Sequence, residues 1–460
     1  MHSDLSIVIL AAGMGTRMKS ALPKVVHEAG GLPIVEHVVQ SALAMTPADR
    51  IVVVTGHGAA QVEACLTGYR TRFVRQTEQK GTGHALMVAA EQVPAREGLL
   101  VVLYGDCPLL SADTIDRLLR QHAQTGVAAT VITALLDDPT GYGRMILDAE
   151  GNCLAIVEQK AATPAQLAVC EINSGIYCFD AALVWRHLPE IKPNAVSGEL
   201  YLTDMVEILR HHGHDIKTLR VADPAEILGI NTRVELAEAD RYFRQRKARQ
   251  AMLAGVTLER PGTITLDKFV EIGQDTVVES FVQVRGDSRI GTGCRIGAGS
   301  ILRNVTIGDG VELHPYCVIS DCTVEAGAHI GPFARLRMNA VVKAGAHIGN
   351  FVELKKTQLG AGAKAMHLAY LGDSQIGEKV NIGAGTITCN YDGVNKHATV
   401  IGDGAFVGSN STLVAPVDIG PGAYVGAGSV ITENVPPVTL ALGRARQVLK
   451  TDWQGRPKRK

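Results

Sequence analysis

Two folds joined by a helix are predicted for this chain. They are a mostly parallel, Rossmann-like α/β sheet over residues 1–232, a connecting α-helix over 233–253, and a parallel β-helix of six-residue repeats over 254–460. Three observations carry the prediction: apolar runs alternate with helical patterns in the first half, the segment from Val234 to Leu253 is charged and has neither Gly nor Pro, and beyond about Val270 an aliphatic residue recurs at every sixth position. A chain of 460 residues is also too long for one ordinary core.

In the first half, Ser6–Leu10, Ile51–Thr55, Leu99–Leu103 and Ala129–Ala134 are short apolar runs, each followed by a helical pattern. That alternation predicts a sheet with helices on both faces, whose ligands lie beyond the C-terminal strand ends. Leu236, Ala239, Tyr242 and Phe243 fall at helical spacing, which gives the connecting helix one apolar side. In the second half the period is cleanest along Val324, Ile330, Leu336, Val342, Ile348 and Leu354, and again along Ile401, Val407, Leu413, Ile419, Val425 and Ile431. Six fits neither a helix nor an alternating strand. It fits a coil with three flat faces, one short strand per face and Gly in the turns, each coil burying its apolar side only against its neighbours. The 49 glycines and the 4% aromatic content follow from such turn-rich coils. Residues 265–436 give about nine or ten coils spaced about 4.8 Å, a prism on the order of 45 Å long. The register is expected to fail between Leu354 and Ile401, where polar and aromatic residues are densest.

Composition excludes several classes of function. With 45 basic against 46 acidic residues, the chain has no global positive field for nucleic acid or an anionic membrane. Nine cysteines without a Cys-x-x-Cys pair argue against a disulfide framework or structural zinc and for a reducing, cytoplasmic setting. The apolar run Leu5–Leu10 is too short for a signal sequence or a membrane segment and is expected as a buried strand. His211-His212-Gly213-His214 is expected as a solvated helix end rather than a metal site. The basic tail Arg456–Lys460 is assigned no partner.

After the first strand comes Leu10-Ala11-Ala12-Gly13-Met14-Gly15-Thr16-Arg17-Met18, with Pro23-Lys24 downstream. Glycines let a backbone approach an anion, and the following helix start favours negative charge, so a phosphate suits this loop. A dinucleotide fingerprint would need Gly at position 18, which is Met, and a P-loop would need Gly-Lys-Ser/Thr. Gly-x-Gly-Thr-Arg-Met with Pro-Lys resembles the signature of sugar-nucleotide pyrophosphorylases, and Gln76, Gly81-Thr82 and Tyr104-Gly105-Asp106 fall where that family reads the base and binds metal. With the repeats included, the chain resembles the bacterial bifunctional UDP-N-acetylglucosamine pyrophosphorylase and glucosamine-1-phosphate N-acetyltransferase family, in which the α/β domain is a nucleotidyltransferase and the β-helix is left-handed.

The resemblance implies that Leu10, Ala11, Ala12, Gly13 and Lys24 hold the nucleotide, with Arg17 and Lys24 stabilising charge on the transferring phosphate and Mg²⁺ bound by Asp106 and Asn231. Asp106 ends a buried strand, and the rival reading as a helix cap is taken by Ser111. By itself Asn231 reads as the cap of the connecting helix, and Thr82 as the cap of a helix over Ala85–Glu91. Gln76 and Gly81-Thr82 are implied at the uracil, and Gly143, Glu158 and Asn173 at the sugar; without the resemblance these three are ordinary loop residues.

For the repeat domain, His367 stands where a small or aliphatic residue would be routine. Acetyl transfer to an amine needs a base, and the usual histidine pKa of about 6.5 suits one. The resemblance implies His367 as that base, Arg337, Lys355, Tyr370 and Asn381 at the sugar phosphate, and Ala384, Asn390, Tyr391, Ser409, Ala427 and Arg444 at acetyl-CoA. It implies glucosamine-1-phosphate, N-acetylglucosamine-1-phosphate, UTP and acetyl-CoA as small-molecule partners, and a homotrimer with acetyl sites at subunit contacts. Met338-Asn339 stands where relatives commonly have Pro-Gly, and Met366 where a smaller residue is usual. Two alternatives stay open: a pyrophosphorylase with a purely structural or regulatory β-helix, and a regulatory subunit of the translation-factor type. His367 with Asn390-Tyr391 counts against the first, and Arg17, Lys24 and Asp106 against the second.

Overall fold

The computed structural model describes residues 4–149, 151–195 and 197–453. The basic tail therefore lies outside the described residues. The chain divides into two compact units, Met1–Phe243 and Arg244–Lys460. No helix among the described residues is long and apolar enough to cross a membrane.

In the first unit, β1 (Leu5–Leu10), β2 (Ile51–Thr55), β3 (Arg72–Arg75), β4 (Leu99–Tyr104), β5 (Ala129–Leu135), β6 (Arg144–Leu147), β7 (Cys153–Val157), β8 (Glu171–Asp180) and β9 (Ile216–Arg220) form one sheet. Its order is β9-β5-β8-β4-β1-β2-β3, with the antiparallel pair β6–β7 hung from β8. Strand β1 runs parallel to both β2 and β4, and only β8 inserts antiparallel into the main path. Every residue of β1 and β2 is buried, as their unbroken apolar runs require. Alternate residues feed two cores. Leu5, Ile7 and Ile9 pack with helices α1 (Ile34–Leu43), α2 (Ala59–Leu66) and α4 (Ala112–Thr125), while Val8 and Leu10 pack with α3 (Thr82–Ala89). After the short α5 (Pro164–Leu167), helices α6 (Ala181–His187) and α7 (Asp204–His211) complete that second layer.

Chain order reverses at β1, which lies between β4 and β2, so a crevice opens beyond the C-terminal ends of these strands. The loop after β1 is pinned there by Ala11 N–H donating to Val54 O at 2.9 Å and Gly105 N–H to Leu10 O at 2.9 Å.

Helix α8 runs Arg233–Leu253. Its start is closed by Thr232 and Glu235: the Glu235 carboxylate accepts from the N–H groups of Asn231 and Thr232, and the Thr232 hydroxyl accepts from Glu235 N–H at 3.3 Å. Asn231 is therefore not the cap, and its side chain is left for other use. Within the first unit Gly30, at φ +61°, lies against Phe243, where a Cβ would come within 2.8 Å of the ring-bearing carbon. Within the second unit Arg244 pairs with Asp267 at 2.9 Å.

The second unit is a left-handed β-helix of parallel strands. One face carries eleven strands, from Thr257–Leu258 to Leu440–Ala441. The other two faces share a seventeen-stranded sheet, joined where Ile301–Ile307 and Val318–Val324 run unbroken round an edge. The hexads stack as expected, Leu336 on Leu354 and Val324 on Val342, all essentially inaccessible to solvent. Nine of the eleven strands fall within residues 265–436, in keeping with the nine or ten coils expected there, and Thr257–Leu258 and Leu440–Ala441 extend the stack at either end. The six-residue period slips between Leu354 and Ile401 as expected, yet the strand pairing continues through the slips. Leu354 pairs with Leu371 and Leu359 with Ile376, each coil one residue short of three hexads, and Ala365 pairs with Ile382. Only the step from Ile376 to Ile401 holds an insertion, a loop closed by a bridge between Tyr391 and Lys396.

Candidate active sites

In the first unit a cavity of about 310 Å³ opens at the chain reversal, lined by Leu10, Ala11, Ala12, Gly13, Lys24, Gln76, Gly81, Thr82, Tyr104 and Asp106, together with Val25, Gln79, Ala85, Glu199 and Tyr201. The last five were missed from sequence; Glu199 and Tyr201 come from a loop with no motif of its own. Three groups distant in sequence meet at one wall. Lys24 Nζ ion-pairs with Asp106 and donates to Asn231 Oδ1 at 3.0 Å. Asp106 continues β4, and its carbonyl accepts from Ile230 N–H at 2.9 Å, which fixes the segment carrying Asn231 beside it. Gly229 lies in ordinary contact with the Asp106 carboxylate, 3.5 Å from where a Gly229 Cβ would be. Gly15, at φ +60°, makes room for Lys24, whose Cβ lies 2.5 Å from where a Gly15 Cβ would be. Arg17 sits exposed on the turn Thr16–Met18, which the buried Met18 anchors, and makes no ion pair among the described residues.

At the other wall, Gln76 is buried and donates both amide hydrogens, to Gly81 O at 3.1 Å and to His84 Nδ1 at 3.0 Å. Thr82 does not cap α3. It lies inside the helix, and its hydroxyl accepts from Leu202 N–H at 3.0 Å. Burial raises the Tyr104 phenol well above its ordinary range. Gly143, Asn173 and Glu158 share one corner: Asn173 N–H donates to Gly143 O at 2.9 Å, and a Gly143 Cβ would stand 3.7 Å from both Asn173 Cβ and Glu158 Oε1. Burial, reinforced by Asp204, holds the Glu158 carboxyl above its usual value.

In the second unit the strand Lys364–His367 ends at an edge of the prism. His367 Nδ1 lies 2.9 Å from Asn350 Oδ1 on the coil below. From His367 a column rises along this edge. Its carbonyl accepts from Gly385 N–H at 3.3 Å, that of Ala384 from Asn410 at 2.7 Å, and that of Ser409 from Gly428 at 2.8 Å; the Ala427 carbonyl accepts from the Arg444 guanidinium at 2.8 Å. His367, Ala384, Ser409 and Ala427 thus occupy equivalent positions on four successive coils.

Across the next face, Arg337 and Lys355 are register partners, and Arg337 Nε donates to Glu353 at 2.7 Å. The buried Lys355 pairs with Asp373 at 2.8 Å, which also accepts from Asn390. Burial would raise Asp373, but hydrogen bonds from Lys355 and Asn390 outweigh it and hold the carboxyl below its usual value; the same bond to Asp373 raises Lys355. The Tyr370 hydroxyl and the Asn390 amide close over Gly372, where a Cβ would come within 2.5 and 2.7 Å of them. Sequence reasoning missed Asp373 and Lys396. The inserted loop brings Lys396 against Lys355, and that contact pushes the Lys396 ammonium down. Tyr391, on the same loop, is exposed and donates to Gly393 O at 2.5 Å. Asn381 stands one strand from Lys364 and Phe406, on the face that ends at His367. Met338 and Asn339 both adopt left-handed φ, 57° and 59°.

Residues 7–165 match the MobA-like NTP transferase domain family, and residues 269–304, 304–337 and 398–433 match the bacterial transferase hexapeptide (six repeats) family. Relatives span nearly the full length. A "Bifunctional protein GlmU" of Solibacter usitatus (strain Ellin6076) is 57% identical, covering 98% of this chain and 97% of its own. Those of Koribacter versatilis (strain Ellin345) and Acinetobacter baylyi (strain ATCC 33305 / BD413 / ADP1) are 47% and 46% identical, each covering 98% of this chain and 97% and 98% of their own.

Proposed function

The chain belongs to the family of bifunctional GlmU proteins, and from that premise we propose that it acetylates glucosamine-1-phosphate with acetyl-CoA on its β-helix and then transfers UMP from UTP to the N-acetylated product in its α/β unit. The carrying observation is that two constellations, one around Lys24 and one around His367, occupy separate units of one chain. The uridylyl site is assigned to residues 1–232 and the acetyl site to 254–460, with 233–253 as linker.

In the first reaction site a phosphate oxygen of the sugar attacks the α-phosphorus of UTP, and the bond to the β-phosphate breaks as pyrophosphate leaves. No protein nucleophile is required, so positioning and cations supply the catalysis. The oxygens of Asp106 and Asn231 already converge on one cation, the Lys24 ammonium, and two hard oxygen ligands suit Mg²⁺. Bound by these residues, Mg²⁺ would neutralise triphosphate charge. Lys24 and the unpaired Arg17 then contact phosphate oxygens. Gln76, its amide hydrogens already spent, keeps Oε1 to accept from the uracil edge, and Gly143, Asn173 and Glu158 hold the sugar.

In the second site, Asn350 Oδ1 accepts from Nδ1–H of His367, which leaves Nε2 to take the proton of the attacking amine. Arg337, Lys355 and Lys396 offer positive charge to the sugar phosphate. The acyl donor lies along the column from His367 through Ala384 and Ser409 to Ala427, three coil steps of about 4.8 Å. A homotrimer fits the edge beside that column. Phe281, Tyr316, Phe333, Phe351 and Leu368 stand there half-exposed, with rings stacked at 5.4 and 5.3 Å, an apolar stripe suited to a second copy. Above Leu368 the stripe gives way to Gly385, Asn410 and Gly428, which leaves room for a ligand. Nine free cysteines fit the reducing cytoplasm, where the product would supply cell-wall precursors.

The test supplies glucosamine-1-phosphate, acetyl-CoA, UTP and Mg²⁺ to wild type, Asp106→Ala and His367→Ala. His367→Ala should stop thiol release yet still release pyrophosphate when given N-acetylglucosamine-1-phosphate; Asp106→Ala should do the reverse. Loss of both activities in either folded variant would refute two independent sites.

A further inference from the structure

The histidine-rich end of α7, expected from sequence to be merely solvated, does not stand alone. The chain folds Glu190, from the turn after α6, between two imidazoles: its Oε1 lies 2.6 Å from His187 Nδ1 and its Oε2 3.0 Å from His212 Nε2. The three ligand atoms lie within 4.8 Å of one another. His187 is 7% exposed, its ring centred 4.0 Å from that of His212 and 6.4 Å from that of His214. Hydrogen bonds from His187 and then His212 hold the Glu190 carboxyl below its usual value. Neither proposed reaction uses these residues. They lie at the far end of α7 from Tyr201, which lines the nucleotide cavity.

We propose that His187, Glu190 and His212 form a binding site for a divalent transition-metal ion of the zinc class, clamping the end of α6 to the end of α7. Two imidazoles and one carboxylate are the ligand types that zinc takes, and they disfavour Mg²⁺ and Ca²⁺, which want oxygen. The buried His187 supplies a fixed ligand. Glu190 and His212, both partly open to solvent, give the ion its way in and leave a coordination position for water. The ion replaces two hydrogen bonds with two metal–nitrogen bonds, each to an imidazole nitrogen that has given up its proton. The site is structural, its ligands drawn from the ends of two helices that pack in one core.

The full-length protein, stripped of metal and kept in excess Mg²⁺ to occupy the Asp106–Asn231 site, is titrated with zinc chloride beside His212→Ala and Glu190→Gln. Metal retained after gel filtration is counted, and thermal unfolding is followed with and without zinc. Wild type should retain one zinc equivalent more than either variant and melt higher with zinc, while both variants keep uridylyl transfer. Loss of a partner one step removed from a metal costs about 10–100-fold in affinity, so removing a direct ligand should cost at least that. Equal zinc content in all three proteins, zero included, or displacement of the zinc by Mg²⁺, overturns the proposal.

Discussion

In the α/β unit the reactive groups are gathered from distant parts of the chain into one cavity, whereas in the β-helix they are laid out coil by coil along an open edge. Lys24 reaches Asp106 and Asn231 across 82 and 207 positions. His367, Ala384, Ser409 and Ala427 are equivalent positions of a repeat. A doubly wound sheet makes a walled crevice wherever its chain order reverses, so one copy suffices. A prism with flat faces has no concavity of its own, and its groove needs a second surface.

The largest effect that sharpens this contrast is expected at Lys24. Removing a cation that meets developing phosphate charge costs on the order of 10²–10³-fold in rate. Lys24→Ala should therefore nearly abolish pyrophosphate release while thiol release from CoA continues at the wild-type rate. A matching fall in both would mean that the two sites are not independent. Next comes the open edge: Phe333→Asp puts a charge into the apolar stripe at a left-handed position that Asp tolerates. It should dissociate the assembly in sedimentation and cut acetyl transfer by about 10²-fold through misplaced groups, with uridylyl transfer unchanged. Full acetyl activity in a monomer would show that the groove is complete in one chain.

The same contrast governs what the sequence discloses. The hexads Val324 to Leu354 point to the β-helix because each coil repeats its neighbour's environment, and the column of His367, Ala384, Ser409 and Ala427 inherits that regularity. The misreadings fall where partners are remote. Asn231 looks like a cap until Thr232 and Glu235 take that role and Lys24 arrives from the other end of the unit. Thr82 resembles a cap because its bond to Leu202 spans 120 positions. His212 is exposed as expected, but its contact with Glu190, 22 positions earlier and behind a loop, leaves no mark in the sequence. Asp373 escaped notice since its value lies in neutralising a buried lysine, which no periodicity marks.

A smaller effect is expected from Gly15→Ala. The added Cβ meets Lys24 Cβ at 2.5 Å in a left-handed conformation, a strain of about 1–3 kcal/mol. If Lys24 yields, uridylyl transfer falls roughly tenfold with little change in melting temperature; if the loop yields, melting temperature falls and the residual rate is higher. Acetyl transfer is untouched either way. Acid should also weaken the α/β unit. Burial lowers the pKa of His122, and burial with Arg233 lowers that of His27, both in the α/β unit. Their folded values lie below the unfolded value, so the stability they allow is present above about pH 6.5 and is lost as pH falls through the folded values. The α/β melting transition should drop on acidification, by roughly 2–4 °C for each kcal/mol, and His122→Gln should reduce that slope.

The finest test falls on the bond between His367 and Asn350, which the β-helix makes inside one chain. If Asn350 fixes the tautomer, Asn350→Ala forfeits one hydrogen bond, about 0.5–1.5 kcal/mol, and slows acetyl transfer about two- to tenfold. A purely structural asparagine could give the same loss, so the decisive variant is Asn350→Asp. It retains an acceptor for Nδ1–H and adds a negative charge 2.9 Å away, which favours the protonated imidazole. Acetyl transfer should then keep its plateau rate while the acid limb of its pH profile moves to higher pH, and uridylyl transfer should show no shift. An unmoved acid limb with wild-type activity would mean that the base titrating in acetyl transfer is not His367.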